Sequence, residues 1–332
     1  MKYLFVGLGS IGQRHLKNLR NITDDSIFAF RTNTENVEEL NKKYNIYSYT
    51  DLDEAFSEKP DVVFITNPTI LHMPIALKAA ELNCHLFIEK PISHNLEQID
   101  SLFKIMKKNN KVCFTAFNFR FHPNLIKIKE LLNQNKIGKI FFSLIQAGQY
   151  LPDWHPDEDY RKGYSARKDL GGGVVLTLIH EIDYIYWLFG EVESVFASLE
   201  KLSLLDIDVE DAASIILKTK DNVIIELHLD YIQRPPSRNC EIVGESGKIV
   251  WDYYDNEVKL FENKTDNWTI FKEDKFKRND MYVEELNHFL NCINNKEKQK
   301  ISNKEVKEVM KIIEAIKQSS KQEKKILIKN IN

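Results

Sequence analysis

The stretch Gly7-Leu8-Gly9-Ser10-Ile11-Gly12 follows an apolar run, Tyr3-Leu4-Phe5-Val6, and precedes residues 13–20, with Ile11, Leu16 and Leu19 at helical spacing. Strand, tight turn and helix is the context in which a G-x-G-x-x-G pattern carries weight. The first glycine permits the turn, the second lets backbone approach a pyrophosphate, and the third lets the helix pack closely on the strand. Phosphates then sit at a helix N-terminus, where N–H groups and the dipole favour an anion. Gly7, Gly9, Ser10, Ile11 and Gly12 are therefore the first cofactor-binding candidates.

Outward from this turn the chain alternates strand and helix. Ser26-Ile27-Phe28-Ala29-Phe30 reads as a second strand, and its end bears on the choice of cofactor. An acidic residue there binds the adenosine ribose hydroxyls and repels a 2′-phosphate. This chain has Arg31-Thr32-Asn33 instead, and a guanidinium fork suits a phosphate, so the lean is to NADP over NAD. Asp61-Val62-Val63-Phe64-Ile65-Thr66 reads as a buried parallel strand running into Asn67-Pro68 and His72. Thr66, Asn67 and Pro68 lie at its carboxyl end, where open α/β sheets bind ligands. His72 faces the cofactor, caps the following helix or lies on the surface. The next strand, His85-Leu86-Phe87-Ile88, ends in Glu89-Lys90-Pro91. Two charged residues at the end of a central strand are costly unless used or paired, and Pro91 restricts Lys90 to extended geometry.

Taken together, the glycine turn, residues 66–72 and Glu89-Lys90-Pro91 resemble the Gfo/Idh/MocA oxidoreductases (glucose–fructose oxidoreductase, inositol dehydrogenase and relatives). In that family the lysine of the glutamate-lysine-proline motif takes part in proton transfer at the sugar hydroxyl. The resemblance places that role on Lys90, with Glu89 and Lys90 also near the cofactor. Residues 118–123, with Arg120 and Pro123, are similar to the family's crossover between domains. The resemblance covers nearly the whole chain and implies a Rossmann NAD(P)-binding domain over residues 1–119. A substrate-binding and oligomerisation domain with a large open, mostly antiparallel sheet follows over 120–332, its last helix packing back on the first domain. A homodimer or homotetramer through that sheet is implied in the same way.

Residues 150–169 break the apolar periodicity and carry Trp154, Tyr160, Arg161, Tyr164 and Arg167. Such a loop is a substrate-contacting lid, a dimer contact or a polar surface loop. Aromatic rings pack on sugar faces, and arginine forks hold carboxylates or phosphates. Gly171-Gly172-Gly173 then opens a single expected helix, ended by Gly190, with Val174, Val175, Leu178, Ile182, Ile185 and Leu188 on its apolar face. His180 and Asp183 are three apart and share a face. A carboxylate beside an imidazole fixes its tautomer and suits a proton-transfer pair. Family members carry an aspartate before this histidine. Here Thr177 takes its place, or Leu176 in an ungapped alignment, and a threonine bonds a hydroxyl but carries no charge. The phrase His180-Glu181-Ile182-Asp183-Tyr184 looks like that of relatives in bacterial surface-glycan pathways.

The expected activity is reversible hydride transfer between a nicotinamide and a secondary alcohol or ketone of a sugar or nucleotide sugar. Lys90, His180 and Asp183 are its catalytic candidates. Arg120, Trp154, Tyr160, Arg161, Tyr164, Arg167 and Thr177 are its substrate candidates. The alternatives are an NAD-dependent glycosidase of the same superfamily and a non-enzymatic dinucleotide-sensing regulator. Composition narrows the classes further. The 332 residues are 43% apolar with a formal net charge of −3, and no basic field points to nucleic acid. No apolar run approaches a membrane span, and Met1 leads directly into a strand, so no signal peptide is expected. Four scattered cysteines form no metal-like pair and fit free thiols in a reducing cytoplasm.

Overall fold

A computed structural model describes residues 1–32 and 37–331, and within it the chain divides into two compact units. The first comprises Met1–Asn118 with Arg278–Val306, the second Phe119–Lys277 with Lys307–Asn332. Asn33, part of the NADP argument, lies outside the described residues.

In the first unit strands and helices alternate: β1 (Lys2–Val6), α1 (Ser10–Arg20), β2 (Ser26–Phe30), α2 (Val37–Tyr44), β3 (Tyr47–Tyr49), α3 (Leu52–Ser57), β4 (Val62–Ile65), α4 (His72–Glu81), β5 (His85–Glu89), α5 (Ile99–Lys108) and β6 (Cys113–Ala116). The six strands form a parallel sheet in the order β3-β2-β1-β4-β5-β6. The order reverses between β1 and β4, which places the glycine turn and residues 66–68 side by side at the switch point where such sheets bind ligands. Both faces of the sheet are covered, so β4 is buried throughout and reads as a continuous apolar run.

The second unit holds α6 (Pro123–Asn133), β7 (Ile140–Gly148), α7 (Val174–Thr177), α8 (Ile179–Phe189), β8 (Val192–Glu200), β9 (Ala212–Thr219), β10 (Ile224–Asp230), β11 (Ser237–Gly244), β12 (Gly247–Asp252), β13 (Glu257–Glu262) and β14 (Asn267–Lys272). After α9 (Arg278–Ile293), which belongs to the first unit, it also takes most of α10 (Asn303–Gln322) and β15 (Ile326–Leu327). Its nine strands run β14-β13-β12-β11-β7-β10-β9-β8-β15, antiparallel except for β7 beside β10.

One feature departs from the reading of the sequence. The helix after the triple glycine is two helices, broken at Leu178, whose φ of −94° and ψ of 34° leave the α region. Helix α9 joins the first core, with the Phe289 ring packed on Phe64, Phe87 and Phe114. The last helix lies along β8, where Ser319 and Ser320 accept the N–H groups of Ala197 and Leu199.

One buried histidine of the second unit makes acid stability measurable. His122 caps α6 by accepting the Asn124 N–H at 3.3 Å and sits among Phe119, Trp251, Tyr253 and Phe276. Burial pushes its imidazole down to about 3, and the Arg238 charge adds to the effect. The unfolded chain therefore binds this proton more readily, and stability falls as pH drops from about 6.5 towards 3. The expected loss from this group is on the order of 3–5 kcal/mol across that window. Urea midpoints at pH 7 and pH 4 should differ less in His122→Phe than in the parent; an equal difference would refute this assignment.

Candidate active site

In the first unit the three motifs form one connected network. Gly7 has a φ of 94°, and a side chain there meets the Asn67 backbone at 2.9 Å. At Gly12 a Cβ comes within 2.5 Å of the Gly7 carbonyl and 2.7 Å of the Thr66 hydroxyl, which itself donates to Gly7 O at 2.7 Å. Helix, turn and the end of β4 are thus in direct contact, with no room for a larger residue. Gly9 differs: nothing lies within 4 Å of its added Cβ, no side chain caps α1 there, and no acidic residue stands in its first turn. The exposed N-terminus of α1 is shaped for an anion brought by a ligand, which is how a dinucleotide's pyrophosphate fits these residues. At the end of β2, half-exposed Arg31 donates its backbone N–H to Tyr49 and Thr32 is exposed.

The network continues to Glu89-Lys90-Pro91. His72 is buried, and its two ring nitrogens each lie 2.8 Å from a carbonyl oxygen, that of Pro91 and that of Asn67. Burial pushes this imidazole below its ordinary value, against the pull of both carbonyls and of Glu89. A neutral ring donates to only one of the two; His72 thus lies between the lysine motif and the end of β4 and does not cap its helix. The Lys90–Pro91 peptide is cis. The Glu89 carboxylate is nearly buried and is bonded to His15 at 2.6 Å.

In the second unit the dipeptide Phe119-Arg120 grips α8 at two places. The Arg120 fork binds both oxygens of Asp183, Nε at 2.9 Å and a terminal nitrogen at 2.8 Å, with both side chains buried. The Phe119 ring stacks on His180 at 4.7 Å and 14°. Arg238 also lies over Phe119, at 4.7 Å, and pairs with buried Glu181 at 2.7 Å. Thr177 is buried, and the Tyr231 hydroxyl donates to Ser165 O at 3.4 Å. Trp154 stands edge-on to Tyr231 at 5.4 Å.

The family model described as "Oxidoreductase family, NAD-binding Rossmann fold" matches residues 1–117, and that for the GFO/IDH/MocA C-terminal domain matches residues 125–250. The chain belongs to the Gfo/Idh/MocA oxidoreductases. It is 28% identical to a myo-inositol 2-dehydrogenase of Thermotoga maritima over all of this chain and 99% of that one. Its fold matches levoglucosan dehydrogenase, solved with NADH and levoglucosan, at a TM-score of 0.87, 20% identity and 99% of both chains. It also matches the WlbA dehydrogenase from Bordetella pertussis, solved with NADH and UDP-GlcNAcA, at 0.82 and 18% identity over 98% and 97%.

Several oxidoreductase residues sit differently from a simple reading of the motif. Arg120 is not exposed to a ligand; its fork is taken up by Asp183. The forks of Arg161 and Arg167 close on Asp159 and Asp169, two residues away in each case. Each fork gives Nε and one terminal nitrogen to its aspartate and remains exposed on its other edge. Tyr160 accepts the Asp206 N–H at 3.2 Å, and Tyr164 is half-buried near Tyr231. His15, absent from the sequence-derived site, announces itself only as a polar residue on the inward face of α1 beside Leu16 and Leu19. Among the described residues no group of three or more His, Cys, Asp or Glu is placed to hold a metal ion, and no helix is long and apolar enough to cross a membrane.

Proposed function

We propose that this oxidoreductase moves a hydride reversibly between a nicotinamide and a secondary alcohol or ketone on a cyclitol, sugar or nucleotide sugar. The observation that carries the reading is the network joining the glycine turn, residues 66–67 and Glu89-Lys90-Pro91 at the ends of β1, β4 and β5. A bound nicotinamide supplies the hydride acceptor or donor. Lys90 takes the hydroxyl proton as the alcohol is oxidised and returns it in the reverse direction. His180, held by the Phe119 ring, is the second proton-handling or substrate-orienting group, and Asp183 fixes the helix that presents it. Recognition of the reacting ring rests on hydroxyls and on aromatic faces such as Trp154, with the exposed edges of Arg161 and Arg167 left for an anionic substituent. The relatives' inositol, levoglucosan and UDP-sugar ligands bracket that substrate class, and a surface-glycan role is one branch of it.

Arg31 at the end of β2 favours acceptance of NADP. The test titrates the protein with NADH and NADPH by quenching of tryptophan fluorescence, then screens inositols, anhydrosugars, hexoses and UDP-sugars with the cofactor that binds. Turnover of any ring alcohol supports the reading; tight cofactor binding with product formed and no net redox change would point to glycoside cleavage instead.

We propose that the chain pairs with itself through the outer face of the second sheet. Exposed Phe196 and Ile216 are paired on β8 and β9, exposed Glu226 of β10 stands between Ile216 and Leu144 of β7, and exposed Ile224 and Phe142 are paired in the row beside them. Exposed apolar side chains gathered on one sheet face mark interfaces. Sedimentation should give a dimer or tetramer, and Ile216→Lys should shift it towards monomer; an unchanged parent-like distribution would exclude this face.

A further inference from the structure

Glu89 is held from two sides. On one side His15 Nε2 donates to Glu89 Oε1 at 2.6 Å; on the other the Lys90 backbone N–H donates to Glu89 Oε2 at 3.1 Å. His15 is fully buried on α1, the helix whose first turn follows the glycine turn. Its ring stands edge-on to Phe87 at 4.8 Å and to Tyr282 at 5.8 Å, and its Nδ1 has no partner among the described residues. The carboxylate accepts, so the Nε2 of this ring carries the hydrogen. An imidazole in this aromatic setting has one polar engagement, and it is with Glu89.

We propose that His15 is a positioning residue for Lys90, acting through Glu89. Its Nε2–H fixes the carboxylate whose other oxygen holds the Lys90 backbone, so the phosphate-turn helix and the proton-transfer lysine form one hydrogen-bonded unit. The inference rests on Lys90 being the proton-transfer group. The charged and titratable groups around Glu89 are His15 on α1, Lys90 beside it, His72 on α4 and Tyr282 on α9, the last also facing Arg14 and Arg278. Burial alone pushes the Glu89 carboxyl up; the His15 bond, then the charges of His15 and Lys90 and the Lys90 N–H, more than offset it and hold it below its ordinary range. Without His15 two of these offsets are lost and the carboxyl takes up a proton at higher pH. The His15 bond also fixes where the carboxylate sits, and with it the Lys90 backbone that its other oxygen holds.

The experiment follows Lys90 directly in the full-length protein without cofactor, by 13C NMR after reductive methylation, the resonance being assigned by its loss in Lys90→Met. His15→Phe and Glu89→Gln should each displace the Lys90 resonance at pH 7 in the same direction, and the double variant should add little to either. His15→Gln, which restores an N–H donor, should return the resonance towards the parent's position. Glu89→Gln is isosteric and keeps the test alive where His15→Phe fails to fold. An unmoved resonance in the folded variants, or displacements that add, would overturn the coupling. Turnover is read in parallel. Full activity in Lys90→Met would refute the lysine's role and take the inference with it. Lost activity there with an unmoved resonance in the His15 variants would refute the coupling alone.

Discussion

Lys90→Met should lower turnover at least about a thousandfold while leaving the affinity for NADH within about threefold of the parent. Methionine keeps the length and apolar stem of lysine and removes only the group that exchanges a proton. The turn's described contacts are made by other residues: Thr66 binds Gly7, and the His72 ring lies between the carbonyls of Asn67 and Pro91. Binding and chemistry should therefore separate. The measurements are single-turnover hydride transfer with the alcohol found in the screen and a fluorescence titration with NADH. Joint loss of binding and turnover would instead make Lys90 part of the cofactor cradle. Turnover within tenfold of the parent would remove the lysine from the mechanism.

Asp183→Ala should destabilise the second unit by about 3–5 kcal/mol, because it takes from the buried Arg120 guanidinium the carboxylate that binds its fork. The pair itself is not the reason. Taking two charges out of water cancels much of their attraction, and the penalty appears when one partner is removed. Arg120→Met combined with Asp183→Leu should therefore recover most of the urea midpoint lost in Asp183→Ala. Activity should stay low in the double variant, because Arg120 and Asp183 tie the crossover to the helix that presents His180. Recovery of both stability and turnover would show that this ion pair has no part in positioning. No recovery of stability would show that the cost lies elsewhere than in the unpaired charge.

The nucleotide-binding half was legible because its determinants are local. A glycine turn between an apolar strand and a helix, apolar runs ending in polar residues, and helices between them are read within a window of a few residues. The strand order, with its reversal between β1 and β4, came only with the folded sheet. The second sheet was legible as strands but not in full. The hairpin of β13 and β14 went unread because its strands, Glu257–Glu262 and Asn267–Lys272, mix charges with apolar residues and β14 is mostly exposed, leaving little alternation to detect. The break at Leu178 was hidden because residues 174–188 keep a helical apolar face across it.

The candidate site divides along the same line. Which residues carry chemistry could be named from the chain: Lys90 beside Pro91, and His180 with Asp183 after three glycines. What holds each in place could not. Asp183 is three residues from His180, and spacing on a helix made them partners, yet its two oxygens take the fork of Arg120, 63 positions away. Glu89 is bonded to His15 from 74 positions away, and Arg161 and Arg167 are engaged by carboxylates only two positions off. Helix α9 chose the first core although its apolar stripe, Met281, Leu286 and Phe289, fits any apolar surface. Local sequence encodes backbone conformation and the identity of reactive groups, because sterics and periodicity act over a few residues. Partners for buried charge and the surface a helix covers are decided only when distant segments meet. Burial then makes an unpaired charge or an uncovered apolar stripe too costly to leave.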